Sequence, residues 1–218
     1  MKSFLSVEVP AFKFTKRANA DLMLHKHIFR LGTLYDFRSV EIHGASIGDK
    51  SEGTCSVTSE SVTFNSDYDP QLLVRAQDFA CVWTRGHLTE KPQIKMLQLT
   101  IHNLLLYCAS LTFDEVNFAD FDSDVCIRIK DFRAFSKALV NSVTLPIEKT
   151  VVRPCEYVDK STLTPKTPIP SLAFWKPPKY ESQKEIRLAI AVFNDPVEPL
   201  LIHSPEAAKF CEVFREKN

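Results

Sequence analysis

The sequence predicts an α+β fold: a single mixed domain over 1–218, with a largely antiparallel sheet core and a few packed helices. Three observations predict it. Strand-like and helix-like stretches are interspersed without the regular βαβ rhythm of a doubly wound parallel sheet. The 218 residues are 44% hydrophobic and 25% charged, which is enough for one substantial core. Sixteen Phe against five Gly describe a packed interior with few permissive turns, and no internal repeat or low-complexity tract interrupts it.

Taken in order, residues 4–14 alternate as a first strand, with Phe12 and Phe14 on one face and Lys13 opposite. Lys16 to His27 suits a helix, with Thr15 as its cap and Ala18, Leu22 and Met23 as its apolar stripe. Ile28 to Leu31 is a short segment leading to Gly32 and then to the loop-like TLYDFRSVEIHGASIGDKSEG, where functional residues are expected. Thr54 to Asn65 reads as a half-buried strand, NSDYDPQ as a turn, and Asp78 to Thr84 as a buried strand with Trp83 near its end. Strands follow at 95–101 and 103–112, although the periodicity leaves a helix open over part of this apolar region. FDEVNFADFDSD is acidic and irregular, and Val125 to Lys130 is a strand. Asp131 caps a helix running through Val143, whose buried face is Phe132, Phe135, Leu139 and Val143. Val151 to Val158 is another strand, and the Pro-rich DKSTLTPKTPIPS at 159–171 is a connector within the domain. A strand at 200–203 leads to a terminal helix, capped by Ser204, opened by Pro205, and burying Ala208, Cys211, Val213 and Phe214.

Composition removes several function classes. Lys plus Arg equals Asp plus Glu, 27 against 27, so no global field draws the chain toward nucleic acid or an anionic membrane. A protein partner fits that balance better than nucleic acid. Six dispersed cysteines are expected to be reduced, mostly buried thiols, because Glu8 and Pro10 make the N-terminal stretch a poor export signal. No run is long enough to span a bilayer, LQLTIHNLLLYCASLTF being interrupted by His102 and Asn103. A cytoplasmic protein is expected.

The chain is organised around FWKPPKYESQKEIRLAIAV, Phe174 to Val192. On an extended strand Gln183, Glu185 and Arg187 would line one face, with Ile186, Leu188, Ile190 and Val192 read as alternating between faces. Three polar groups at the mouth of a buried strand have the form of a site, although an exposed Glu185–Arg187 pair on an edge strand would have the same spacing. The nucleotide-binding, metalloprotease and CxxC motifs are absent. Asp120, Asp122 and Asp124 alternate but lack the glycine and bidentate glutamate of a calcium loop, so no metal site is predicted. Two groups of residues remain: Lys13 with the loop Arg38, Glu41, Asp49, Glu52 and Gly53, and Tyr157 with Lys176, Tyr180, Gln183, Glu185 and Arg187.

The opening FKF, the run Leu-Gly-Thr-Leu-Tyr-Asp-Phe-Arg, the segment IGDKSEG and the late Lys176, Tyr180, Gln183, Glu185 and Arg187 resemble an uncharacterised family of bacterial and phage proteins, a domain of unknown function. That family begins with a Lys-aromatic strand, here Lys13-Phe14. It continues with an Asp-x-x-Glu loop, here Asp49 to Glu52, and ends with a Glu-x-Glu-x-Arg run. Where the family often carries Cys-x-Ser, this chain has Cys81-Val82-Trp83. The arrangement is also similar, more weakly, to ADP-ribosyltransferases, in which a Gln or Glu stands two residues before a late glutamate, as Gln183 does before Glu185.

That resemblance implies NAD as cofactor and a phage- or defence-related role. Breaking the nicotinamide–ribose bond passes through an oxocarbenium-like state, which a carboxylate beneath the sugar stabilises. Glu185 takes that role and Gln183 orients an acceptor. Lys13, or alternatively Arg17, meets the cofactor's phosphate or ribose. Tyr157 or Tyr180 stacks on nicotinamide, and Arg187 pairs either with Glu185 or with a ligand phosphate. The alternative is a non-catalytic protein-binding module, with FWKPPKY at 174–180 as an exposed aromatic-basic contact surface. A third reading is a metal-assisted hydrolase built on Asp49 and Glu52.

Overall fold

A computed structural model describes residues 8–39, 48–50, 52–63, 81–82, 93–100, 103–159, 172–193 and 198–217. β1 (Ala11–Thr15) is followed directly by α1 (Arg17–His25) and β2 (Ile28–Thr33). Phe12 and Phe14 share one face of β1 and Lys13 takes the other, as the alternation predicts. The helix is capped differently from expectation. Lys16, not Thr15, is the N-cap and supplies no side-chain bond, and Ala20 and Met23 are the buried positions while Leu22 is exposed.

β3 (Thr54–Thr63), β4 (Cys81–Val82) and β5 (Gln93–Thr100) form an antiparallel sheet in the order β3-β5-β4. The remaining residues expected in a strand at 78–84, the turn NSDYDPQ, Glu41 and connector residues 160–171 lie outside the described residues. β6 (Leu105–Ser110), α2 (Val116–Asp120), β7 (Val125–Ile129), α3 (Phe132–Asn141) and β8 (Ile147–Pro154) continue the chain. Two very short strands, β9 (Glu156–Tyr157) and β10 (Trp175–Lys176), pair in parallel. After them come β11 (Glu185–Val192), β12 (Leu200–His203), α4 (Pro205–Ala208) and β13 (Cys211–Glu216).

Eight strands make the main sheet, all paired antiparallel, and the fold is α+β. β6 is its centre. Along one edge it pairs continuously with β11, from Leu105↔Ile190 to Ser110↔Glu185, and β11 in turn pairs with β8. Along the other edge it meets β2 at Leu105 and Leu106 and β1 only at Ser110. Between those contacts Tyr107, Cys108 and Ala109 face a gap in the sheet. β12 extends the sheet beyond β2, while β7 and β13 extend it beyond β1.

The period of two divides the core between faces. Ile186, Leu188, Ile190 and Val192 do not alternate between faces but all lie on one, packed with Leu105, Tyr107 and the α3 residues Phe132, Phe135 and Leu139. The other face carries Glu185 and Arg187, and beyond them Ala189 with Leu104, Leu106 and the buried Leu172–Trp175. A third cluster joins Phe14 to Phe118 and Cys126. Phe118 belongs to α2, which forms inside the acidic stretch expected to be irregular. There the Asp114 side chain accepts the Val116 N–H, and Phe118 gives the short helix an apolar anchor.

Asp131 caps α3 as predicted, accepting from the Arg133 N–H at 3.0 Å. The terminal helix is a correction. Ser204 caps it and Pro205 opens it, but it ends at Ala208, and Cys211–Glu216 instead joins the free edge of β7. Unpaired backbone at that edge offers a full ladder, which outweighs the helix preference of a short terminal segment. Ser204 itself is fully buried. Its N–H donates to the His27 carbonyl and its hydroxyl donates to the Ala138 carbonyl, accepts from Ala207 and meets Ser142 at 2.8 Å. Ser204→Ala is expected to lower unfolding free energy by about 1–2 kcal/mol, measured by urea denaturation.

Candidate functional site

The candidate site begins with a left-handed residue. Pro178–Gln183 forms a 3-10 turn and Lys184 leaves it at φ 40°. β11 therefore starts at Glu185, and Gln183 is not on the same strand as expected. Lys176 brings the two side chains together instead: its ammonium donates to Gln183 Oε1 at 2.8 Å and to Glu185 Oε2 at 2.7 Å. The Tyr180 ring lies 4.7 Å from that ammonium.

Arg187 holds the other side of Glu185. Its Nε donates to Glu185 Oε1 and its Nη1 to Glu52 Oε1, both at 2.6 Å. Nη1 also donates to the Ala173 carbonyl, and Nη2 reaches Glu52 Oε2 at 3.3 Å and Glu185 Oε2 at 3.4 Å. All five guanidinium N–H donors are thereby taken. Arg187 is 2% exposed, Glu52 1%, Lys176 3% and Glu185 6%. Two carboxylates and two cations form a neutral buried quartet, joining residues from both groups singled out in the sequence. Arg38 supports it from outside, donating from Nε to the Glu52 carbonyl at 2.8 Å.

The quartet fixes protonation. Burial alone would push the Glu185 carboxyl up, but the adjacent Arg187 and Lys176 charges overcome that and hold it well below the usual carboxylate range. Burial opposes the Lys176 charge as well, and Glu185 overcomes it, so the ammonium is held above its ordinary value. Burial pushes the nearby Cys155 thiol up to about 12 and the Cys108 thiol well above its usual value. Neither is a thiolate nucleophile at neutral pH. Among the described side chains Cys108, Cys126, Cys155 and Cys211 are free thiols.

A cleft of about 510 Å³ opens at the gap between β1 and β2, closed on one side by α1. Glu185, Gln183, Lys176, Arg187 and Glu52 line its floor, with Ser110 and Cys108 of β6 beside them. Phe12, Phe14 and Phe37 contribute aromatic wall. Phe37 lies so close to Gly32 that a Cβ there would meet its ring at 2.8 Å, so the bare glycine makes room for this wall. Lys13 lies in the gap itself. Its ammonium donates to the Cys108 carbonyl at 2.9 Å and sits 5.2 Å from the centre of the Tyr107 ring.

Comparison with protein-family models, curated proteins and solved structures finds no match to this chain. The site is therefore read from its own geometry.

Of the predicted site residues, Lys13, Gln183, Glu185 and Arg187 converge on the cleft, whereas neither tyrosine lines it. Tyr180 is 4% exposed and donates its hydroxyl to the Gly48 carbonyl, and Tyr157 accepts the Glu185 N–H at 2.7 Å. Burial pushes the Tyr157 phenol up to about 12. Through their hydroxyls both tyrosines brace residues at the floor of the cleft. Arg187 pairs with Glu185 and Glu52.

The segment 174–180 is also corrected. Phe174, Trp175, Lys176 and Tyr180 are buried, leaving mainly Pro178 and Lys179 at the surface, so FWKPPKY is not an exposed contact surface. Asp122 and Asp124 both face Lys16, at 2.8 and 3.7 Å, and among the described residues no three His, Cys, Asp or Glu side chains cluster as metal ligands. No described helix is long and apolar enough to cross a membrane. The cleft residues that sequence reasoning passed over, Cys108 and Ser110, carry no local signal, because only strand register sets them beside Arg187 and Glu185.

Proposed function

We propose that the cleft binds NAD and that the protein is a cytoplasmic ADP-ribosyltransferase-like enzyme, cleaving NAD or transferring its ADP-ribose. One observation carries this reading: Glu185 is a carboxylate kept ionised on the floor of a cleft, with the Gln183 amide beside it. In the proposed reaction the bond between ribose C1′ and the nicotinamide nitrogen breaks, and its electron pair leaves with nicotinamide. The ribosyl carbon develops positive charge, which the fixed negative charge of Glu185 stabilises. Water or an acceptor nucleophile then bonds to that carbon and releases a proton to solvent. Glu185 acts as a charge and not as a base, because its neighbours hold its proton affinity low. Phe12, Phe14 or Phe37 replaces the tyrosines as the aromatic surface for the nicotinamide ring.

The test is nicotinamide release from NAD, with water alone and with protein and nucleic-acid acceptors. Release is expected from the native protein, and Glu185→Gln of intact fold is expected to lower it by about a hundredfold. Absence of both release and NAD binding in the native protein overturns the reading.

A further inference from the structure

We infer that Lys13 is an amine nucleophile, and that its Nζ, in the gap between β1 and β2, condenses with a small hydroxyaldehyde or hydroxyketone to form an imine. The inference uses the cleft described above but no step of the NAD reaction.

The surroundings of the amine are the argument. Lys13, Lys16 and Lys176 all line the cleft. Lys16 pairs with Asp122 and Lys176 with Glu185, and a carboxylate partner keeps an ammonium charged and its lone pair occupied. Lys13 has no carboxylate within ion-pair distance among the described residues. Its hydrogen bond goes to the neutral Cys108 carbonyl at 2.9 Å, and the Tyr107 ring centre lies 5.2 Å from Nζ. The residue as a whole is only partly buried, so the cleft gives a ligand access to it. Loss of water around Nζ, with the Arg30 charge adding to it, holds the ammonium below the usual lysine value; Cys108 and Glu185 oppose this only in part. Removal from water and a neighbouring cation are the two means by which a lysine is freed to attack a carbonyl.

The single hydrogen bond suits every stage of the condensation. Once the ammonium has given a proton to solvent, one N–H of the neutral amine stays on the Cys108 carbonyl and the lone pair is free for the cleft. That lone pair bonds to the ligand's carbonyl carbon, and a proton moves from nitrogen to the former carbonyl oxygen. The hydroxyl so formed leaves as water, taking up the proton first lost to solvent, while the nitrogen lone pair closes the C=N bond. One ammonium and one carbonyl thus give one iminium and one water, with nothing oxidised or reduced. The iminium keeps one N–H, still matched to the Cys108 carbonyl. Ser110 and Gln183 line the same cleft, polar groups of the kind that recognise the hydroxyls of the ligand.

Reductive trapping of the native protein tests the inference, with limiting glyceraldehyde and cyanoborohydride at neutral pH and adducts mapped by peptide mass spectrometry. Lys13 is expected to be modified at least about tenfold faster than the exposed Lys26 and Lys137. The preference is expected to vanish in denaturing urea and to be smaller with propanal, which carries no hydroxyl. Modification of Lys13 no faster than that of the exposed lysines overturns the inference. A preference that survives in urea overturns it too, since it then belongs to the local sequence and not to the gap. Equal preference with propanal strikes the hydroxylated class of ligand. Trapping at Lys13 without nicotinamide release sinks the NAD reading alone, and release without trapping sinks the amine nucleophile alone.

Discussion

Arg187→Ala is expected to cost the fold about 3–5 kcal/mol, read as a fall in the urea midpoint at neutral pH. The guanidinium joins Glu52, 135 residues earlier in the chain, to Glu185 and also satisfies the Ala173 carbonyl. Removing it leaves two buried carboxylates facing one ammonium. Arg187→Lys is not a conservative rescue, because a single ammonium cannot reproduce five donors in a planar fork. It is expected to recover less than half of the loss. A cost under about 1 kcal/mol for Arg187→Ala would show that the quartet is solvated and loosely held.

Acid is expected to unfold the protein through the same group. At neutral pH Glu185 is ionised in both the folded and unfolded states, and its stabilisation is fully present. As pH falls below the unfolded value near 4.5, the unfolded chain takes up a proton that folded Glu185 refuses. Stability then declines until the folded carboxyl itself protonates, by about 1.4 kcal/mol for each unit of pH in that window. Lys176 gives the mirror image in alkali: its contribution is present below the unfolded value of 10.5 and is lost as pH rises through its raised folded value. Urea midpoints measured from neutral to acid pH check this. The native protein should show a steeper acid limb than Glu185→Gln; parallel limbs would exclude Glu185 as the titrating group.

What the sequence made legible was local. Alternation placed Phe12, Lys13 and Phe14 on their correct faces, and Asp131 and Ser204 announced two helix starts that the structure contains. The polar cluster at 183–187 was visible as a candidate because so few other residues of the right kind stand together. Its geometry was not visible. A single left-handed residue, Lys184, separates Gln183 from the strand, and nothing in its type signals that conformation. FWKPPKY has the composition of a surface, yet Lys176 is buried because a carboxylate nine residues later receives its charge. The Glu52–Arg187 pairing depends on contacts distant along the chain, as does the shared row of Ser110 and Glu185. The final strand was misread because EVFREK suits a helix in isolation and becomes a strand only beside β7.

The interrupted edge of β6 has a dynamic consequence. Two leaflets, β12–β2 and β7–β13 with β1, meet β6 at separate points, while α1, the β12–α4–β13 connection and the shared core join them elsewhere. The first leaflet is attached through two residues of β6 and the second through one, whereas the β6–β11 ladder runs unbroken. Movement of one leaflet relative to the other would alter the width of the opening without breaking the β6–β11 ladder that carries Glu185 and Arg187. Amide exchange should be slowest along β6 and β11, and an occupant of the gap should slow it first in β1 and β2, where it would act as a clasp between the leaflets.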